Sequence, residues 1–339
     1  MAVRVAINGL GRIGRAAFKL LMDTPELELV AVNDIGSLEN MVYLLKYDTV
    51  YGRYARNVQA GDGNIVVDGK SIAYLSEKDP TKLPWGAMNV ELVFECTGIF
   101  TKQEDAAKHI TAGAKWVILS GPTSSADVPT VVHGVNRPDG QKNILSCASC
   151  TTNNIGPIME IMQRHFGVEK ALMTTLHAYT ATQMLVDSPG GKKDMRRGRA
   201  AAANFVPSST GAATATAKAL PELEGKFDGV SVRGPVPIVS MADITLLLSR
   251  NTTVEEINDV FRSEAATERY DGILGVAEEE LVSSDLIQDP RASVVQADMT
   301  RVVDGNLVKV MSWYDNEWGF TNQMIKTALV SLGMREYAY

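Results

Sequence analysis

The sequence predicts an α/β protein: a doubly wound, mostly parallel sheet followed by an α+β domain with a mixed or antiparallel sheet. Three observations predict it. The first 150 residues alternate short β-branched runs with helix-like segments, the pattern of strands joined by crossover helices. Gly9-Leu10-Gly11-Arg12-Ile13-Gly14 sits between the first strand and the first helix. Past the fourth helix, strands lengthen and fewer helices separate them.

In chain order, Val3–Asn8, Glu28–Asn33, Asn64–Val67, Leu92–Glu95, Trp116–Ser120 and Ile144–Ser146 are apolar and β-branched enough to be strands. Arg12–Met22, Leu38–Leu45, Gln103–Ala112 and a run from about Thr151 to His165 carry helical periodicity. Gly167 caps the last of these, and Pro157 is expected to kink or delay it. Beyond it, Ala171–Leu176, Gly229–Val232, Met241–Ser249, Ser293–Asp298 and Val308–Trp313 are candidate strands, and Asn322–Leu332 a closing helix. Ala178 to Arg199 has no hydrophobic period, and so long a loop in a compact enzyme points to function or disorder. The expected division is 1–150 for nucleotide binding and 151–318 for catalysis and assembly. The last segment, 319–339, is a C-terminal helix returning to the first domain.

A length of 339 residues suits two cores. The net charge of −7 argues against a nucleic-acid partner, which calls for a basic face. Three cysteines make no disulfide framework and come with no metal-ligand set, which fits a reducing compartment. The chain opens directly on a strand-like run, with no secretory signal pattern and no apolar stretch of membrane-spanning length.

The glycine run lets backbone turn tightly and approach a pyrophosphate seated on a helix N-terminus. Asp34 ends the second strand, 20 residues after Gly14, where a carboxylate accepts from an adenosine ribose hydroxyl. Together they specify a Rossmann-type dinucleotide site. A 2′-phosphate at ~4 Å from Asp34 would cost about 4 kcal/mol per pair of unit charges at an effective dielectric near 20. NAD is therefore favoured over NADP, less so if Arg12 or Lys192 intrudes.

Ser146-Cys147-Ala148-Ser149-Cys150-Thr151-Thr152-Asn153 packs thiols, hydroxyls and an amide just before a helix-like run. A helix N-terminus stabilises thiolate, which makes Cys150 a candidate nucleophile. Of the four histidines, His177 follows a strand end. His109 and His165 fall in helical runs and His133 in a strand-like one, where packing or surface roles are expected. A Cys–His pair alone suits a hydrolase equally well. Thr180, Arg197, Thr210-Gly211 and Arg233 stand in polar or turn settings that suit anions. The basic run from Lys192 to Arg199 reads as a solvated loop, a nucleic-acid contact or a seat for a phosphorylated substrate, and the acidic chain favours the last.

Asn8 to Arg15, Leu44-Leu45-Lys46-Tyr47-Asp48, Ala148 to Asn153, His177-Ala178-Tyr179-Thr180, Pro207 to Ala213 and Trp313 to Gly319 together resemble the phosphorylating glyceraldehyde-3-phosphate dehydrogenases, at that family's spacing and over nearly the whole chain. The resemblance implies that Cys150 attacks the aldehyde of glyceraldehyde 3-phosphate. His177 would pair with the thiolate and act as base while hydride passes to NAD. Inorganic phosphate would then cleave the thioester to 1,3-bisphosphoglycerate. It assigns Thr180, Arg197 and Arg233 to the substrate phosphate, and Ser149, Thr151, Thr210 and Gly211 to the attacking phosphate. Gly9, Gly11, Arg12, Ile13, Gly14, Asp34, Thr97, Gly98, Ser120 and Asn316 would contact NAD, Asn316 through the nicotinamide carboxamide. It also implies a cytoplasmic homotetramer of glycolysis and gluconeogenesis, with residues 178–199 packing against a neighbouring subunit, and no metal.

Three departures stand out. Cys147 stands where the family usually has Asn, and Asn154 where it has Cys, so Cys147 is expected to be an inert bystander. The family's Arg-Val-Pro-Thr-Pro-Asn is here Arg233-Gly234-Pro235-Val236-Pro237-Ile238, which removes two polar groups beside Arg233. Pro189 matches NAD-preferring members, but Ser188 before it matches some dual-cofactor relatives, which leaves dual use open.

Overall fold

The computed structural model describes residues 2–137, 140–190 and 194–336. Lys192 and Lys193 lie outside them. The chain forms two compact units. One holds the residues up to Val131, Arg137–Ala148 and Met324–Glu336, and the other Val132–Asn136 and Ser149–Gln323.

The first unit runs β1 (Val3–Asn8), α1 (Arg12–Leu21), β2 (Leu27–Asn33), α2 (Leu38–Lys46), β3 (Tyr47–Asp48), β4 (Gly52–Arg53), β5 (Val58–Ala60), β6 (Asn64–Val67), β7 (Lys70–Leu75), β8 (Leu92–Glu95), α3 (Gln103–Thr111), β9 (Trp116–Leu119) and β10 (Ile144–Ser146). Its sheet has the order β10-β9-β8-β1-β2-β7-β6-β5. The strands from β10 to β7 are parallel, and β6 and β5 extend the edge antiparallel. The parallel strands read as unbroken apolar runs because helices cover both faces. β1 and β8 are neighbours of opposite crossover direction, so their C-terminal ends open a crevice where ligands bind in such sheets. Lys70–Leu75 escapes sequence reading because Lys70 and Ser71 break its alternation.

The second unit runs α4 (Cys150–Phe166), β11 (Val168–Ala178), β12 (Val206–Ser209), α5 (Ala212–Ala219), β13 (Phe227–Gly234), β14 (Ser240–Leu248), α6 (Val254–Ala265), β15 (Leu274–Ala277), β16 (Ser293–Gln296), β17 (Arg301–Val303) and β18 (Leu307–Tyr314). The last helix, α7 (Trp318–Ser331), begins in it. Its sheet is mixed, ordered β12-β13-β11-β14-β18-β16-β15, with β17 beside β18. β11 pairs parallel with β13 and antiparallel with β14.

Two expectations need correction. Pro157 neither delays nor interrupts α4, which starts at Cys150 and continues to Phe166. The helix is buried on nearly every side, and tertiary packing of that extent outweighs one missing hydrogen bond. Gly167 does end it, at φ 70°. His133 lies in a turn, not a strand. Residues 178–199 hold one short 3-10 turn, Met195–Gly198, among those described.

Candidate active site

The turn after β1 is built for close approach to a ligand. Gly9 has φ 95°, and a Cβ on Gly14 would collide with the Gly9 carbonyl oxygen, so strand and helix meet only as glycines. A Cβ on Gly11 would meet nothing, and the α1 N-terminus that Gly11 caps has no side-chain partner. A helix N-terminus beside open space is what an anion seat requires. A cavity of about 440 Å³ lies there, lined by Gly9, Gly11, Asp34 and Thr97 among others. Asp34 accepts from Leu10 N at 2.7 Å and Gly36 N at 2.9 Å, which fixes its carboxylate at the rim. Arg12 does not intrude: it pairs with Asp48 at 2.6 Å and lies over the Tyr51 ring. The cavity wall carries the carboxylates of Asp34 and Glu77 against the ammonium of Lys78. That balance disfavours a 2′-phosphate. Ile13 is half-buried behind the turn, and Ser120 hydrogen-bonds Cys96, itself on the cavity wall.

Ser149 caps α4 by accepting from Thr152 N at 3.1 Å. Cys150 is therefore the first residue of the helix. Ala148, just before the cap, is held at φ 58°, a strained conformation for a residue with a side chain. Cys150 Sγ lies 3.4 Å from His177 Nε2. His177 comes from β11, whose odd positions from Ala171 onward face inward, and its register partner on parallel β13 is Arg233. Ladder geometry thus sets the guanidinium beside the imidazole, with Nη1 2.9 Å from His177 Nδ1. The Ala178 carbonyl lies 2.7 Å from Nδ1 and also accepts from Arg233 Nη1. The Ala178 carbonyl can only accept and is the shorter contact, so it takes the Nδ1 proton while Arg233 Nη1 donates to that same oxygen, and Nε2 is left to face the thiol.

Burial and then the Arg233 charge push the His177 pKa down to about 3. The imidazole is therefore neutral near pH 7. Burial raises the Cys150 thiol, and Arg233 opposes that rise. The cation beside the thiol is Arg233. A stability consequence follows from the sign. The unfolded chain binds this proton below the ordinary histidine value of 6.5, and the folded chain only near 3. Stability should fall by about 1.4 kcal/mol per pH unit as pH drops through that window. Unfolding free energies against pH should be flatter for His177→Asn, and parallel curves would contradict the assignment.

The sequence comparisons agree with this geometry. Residues 3–103 match the model of the glyceraldehyde 3-phosphate dehydrogenase NAD binding domain, and residues 149–316 that of its C-terminal domain. The chain belongs to the glyceraldehyde-3-phosphate dehydrogenase family. The glyceraldehyde-3-phosphate dehydrogenase of Zymomonas mobilis is 46% identical over 332 residues, covering 97% of this chain and 98% of its own. Glyceraldehyde-3-phosphate dehydrogenase 1 of Bacillus subtilis is 46% identical, and the Geobacillus stearothermophilus enzyme 45%, each over the same shares of both chains.

Other residues implied by the family resemblance fall in two groups. Thr180 hydrogen-bonds Thr182 at 2.9 Å, and Arg197 donates to Thr182 at 3.2 Å. Arg197 and Arg233 are close enough for the Arg197 charge to lower the Arg233 pKa, after burial. Two guanidinium groups that repel each other favour an anion between them. Thr182 was not singled out from sequence, although it lies two residues from Thr180. The hydroxyls nearer Cys150 are already engaged. Thr151 bonds the Tyr314 hydroxyl at 2.9 Å, and Tyr314 also bonds Thr175. Ser149 bonds Thr152 Oγ1 at 2.8 Å, so its O–H is free for an anion when Thr152 is the donor there. Thr210 accepts from Ala212 N at the start of α5, where Gly211 is the cap. Asn316 accepts from Ser240 through its amide oxygen, leaving its NH₂ to donate.

The departures from the family pattern are absorbed in the core. Ile238 is buried. Asn154 is buried too, donating to the Trp313 carbonyl and accepting from Ser312. Cys147 is buried, hydrogen-bonded to Thr327, with its pKa pushed up to about 12 by desolvation. Cys147→Ser should keep most of the activity, within about threefold, because no thiolate forms there. A loss equal to that of Cys150→Ser would refute this. Among the described residues no cluster suits a metal ion, and no helix is long and apolar enough to cross a membrane.

Proposed function

We propose that this chain catalyses the phosphorylating oxidation of D-glyceraldehyde 3-phosphate to 1,3-bisphosphoglycerate, with Cys150 as nucleophile and His177 as base. The observation that carries it is a thiol 3.4 Å from an imidazole nitrogen, beside two mutually repelling guanidinium groups. A thiol and base alone would serve hydrolysis; the paired cations select a phosphorylated substrate.

Cys150 sulfur bonds the aldehyde carbon as its proton passes to Nε2 of His177, and the imidazole returns that proton to the carbonyl oxygen, which becomes the hydroxyl of a thiohemiacetal. The Cys150 N–H at the α4 start steadies the developing oxyanion. His177 then takes the hydroxyl proton while the carbon gives up hydride, forming a thioester. NAD supplies the hydride acceptor. A phosphate oxygen attacks the thioester carbon, the carbon–sulfur bond breaks, and Cys150 leaves as thiolate. Covalent attachment conserves the oxidation energy that water would otherwise dissipate. Thr180, Arg197 and Arg233 hold the substrate phosphate. The first turns of α4 and α5, with Ser149, Thr151, Thr210 and Gly211, hold the attacking one.

The first unit binds NAD through Gly9, Gly11, Gly14, Asp34, Thr97, Gly98 and Ser120, with Arg12 and Ile13 shaping the turn, and Asn316 orients the nicotinamide. The second unit carries the catalysis. A homotetramer is supported by its outward sheet face, where Leu172, Leu176, Val230 and Leu307 are exposed. Cytoplasmic location fits three cysteines that form no disulfide. Initial rates of reduced-cofactor formation test the substrate assignment. Glyceraldehyde 3-phosphate with NAD should exceed both erythrose 4-phosphate with NAD and glyceraldehyde 3-phosphate with NADP. A preference for erythrose 4-phosphate would overturn it.

A further inference from the structure

We propose that Glu95, oriented by His109, is a positioning residue for the cofactor: its buried carboxylate shapes the turn and the asparagine that wall the dinucleotide cavity. The inference rests on NAD occupying that cavity. Glu95 ends β8 and is 2% exposed, an expensive place for a carboxylate unless every lone pair is used. They are. Oε2 accepts from Asn8 Nδ2 at 2.6 Å and lies 3.0 Å from His109 Nε2. Oε1 accepts from Thr97 N at 2.8 Å and from the Thr97 hydroxyl. Four donors fill a carboxylate.

The His109 tautomer is set from its other side. Trp85 Nε1 can only donate, and it lies 3.0 Å from His109 Nδ1. Nδ1 therefore accepts, and Nε2 carries the hydrogen that points at Glu95. Trp85 and His109 are both fully buried. The order runs outward as well. Asn8 gives its NH₂ to Glu95, so its oxygen accepts from Asn33 Nδ2 at 2.7 Å. Asn33 in turn holds the Glu77 backbone through both its N–H and its carbonyl, each at 2.9 Å. Asn8, Asn33, Glu77 and Thr97 all line the cavity.

A purely structural carboxylate would spend its bonds on the core. This one spends three on Asn8 and Thr97, and the fourth fixes its own orientation. The Thr97 hydroxyl then accepts from Ile99 N at 3.1 Å, which closes the turn over Gly98 at φ 71°. A Cβ on Gly98 would meet nothing. The turn thus shows the cavity a backbone whose course Glu95 dictates.

Glu95→Gln keeps the shape but sets an NH₂ against existing donors. NAD affinity, measured by titration of the full-length protein without substrate, should fall about tenfold, the size of one buried hydrogen bond left unmade. The rate at saturating NAD should change less than threefold, and so should alkylation of Cys150. His109→Leu should lose NAD affinity similarly. His109→Gln can donate to Glu95 and accept from Trp85, and should restore it to within threefold of the parent. Wild-type affinity in Glu95→Gln and His109→Leu overturns the proposal. So does an affinity loss in His109→Gln as large as in His109→Leu, because it would mark a packing effect. If Glu95→Gln does not fold, the two His109 variants decide alone. Failure of the parent protein to bind NAD would instead overturn the cofactor reading beneath it.

Discussion

Cys150→Ser is expected to abolish turnover, lowering the rate by at least about 10⁴-fold, the scale seen when a nucleophile is removed from a covalent mechanism. A serine hydroxyl in the same place is a far poorer nucleophile near neutral pH, and Arg233 cannot lower its pKa enough to compensate. The fold should survive, because Cys150 occupies the first position of α4 and its cap, Ser149, is untouched. Aldehyde-dependent NADH formation, with NAD binding as a control for folding, checks both halves. Residual turnover within tenfold of the parent would mean that another group attacks the aldehyde.

His177→Asn should lower the rate by about 10²- to 10⁴-fold, the usual contribution of a positioned general base. The imidazole accepts a proton twice in the cycle: first from the thiol, passing it on to the thiohemiacetal oxygen, and then from that hydroxyl as hydride leaves. Asparagine can fill the space and bond the Ala178 carbonyl, but it cannot accept a proton. Alkylation of Cys150 near neutral pH should also slow, because the thiol loses the base 3.4 Å away. Unchanged alkylation would assign the whole of thiol activation to Arg233 and the α4 N-terminus.

Most of the nucleotide unit was legible because its signals are local. The glycine run, Asp34 and the apolar strands each act within a few residues, and the strands β1, β6, β8 and β10 lie where the sequence places them. The β5 and β7 additions were not legible, since their exposed polar residues hide an edge ribbon. In the second unit Cys150 and His177 were visible by type and setting, yet their meeting depends on α4 lying against β11, which in turn pairs with β13. That pairing also makes Arg233 the charge beside the thiol. Tyr314 and Thr182 were missed because each acts through a neighbouring hydroxyl and has no motif of its own. Pro157 misled because its cost in a helix is judged locally, whereas α4 is held by burial on nearly every side.

The central claim is that oxidation and phosphorylation are joined through a thioester on Cys150. Rapid mixing of enzyme, NAD and glyceraldehyde 3-phosphate without inorganic phosphate tests it most directly. The account predicts a burst of about one NADH per active site followed by near arrest, with steady turnover restored when phosphate is added. Steady turnover at the same rate in the absence of phosphate would contradict it, because water would then be releasing the acyl group.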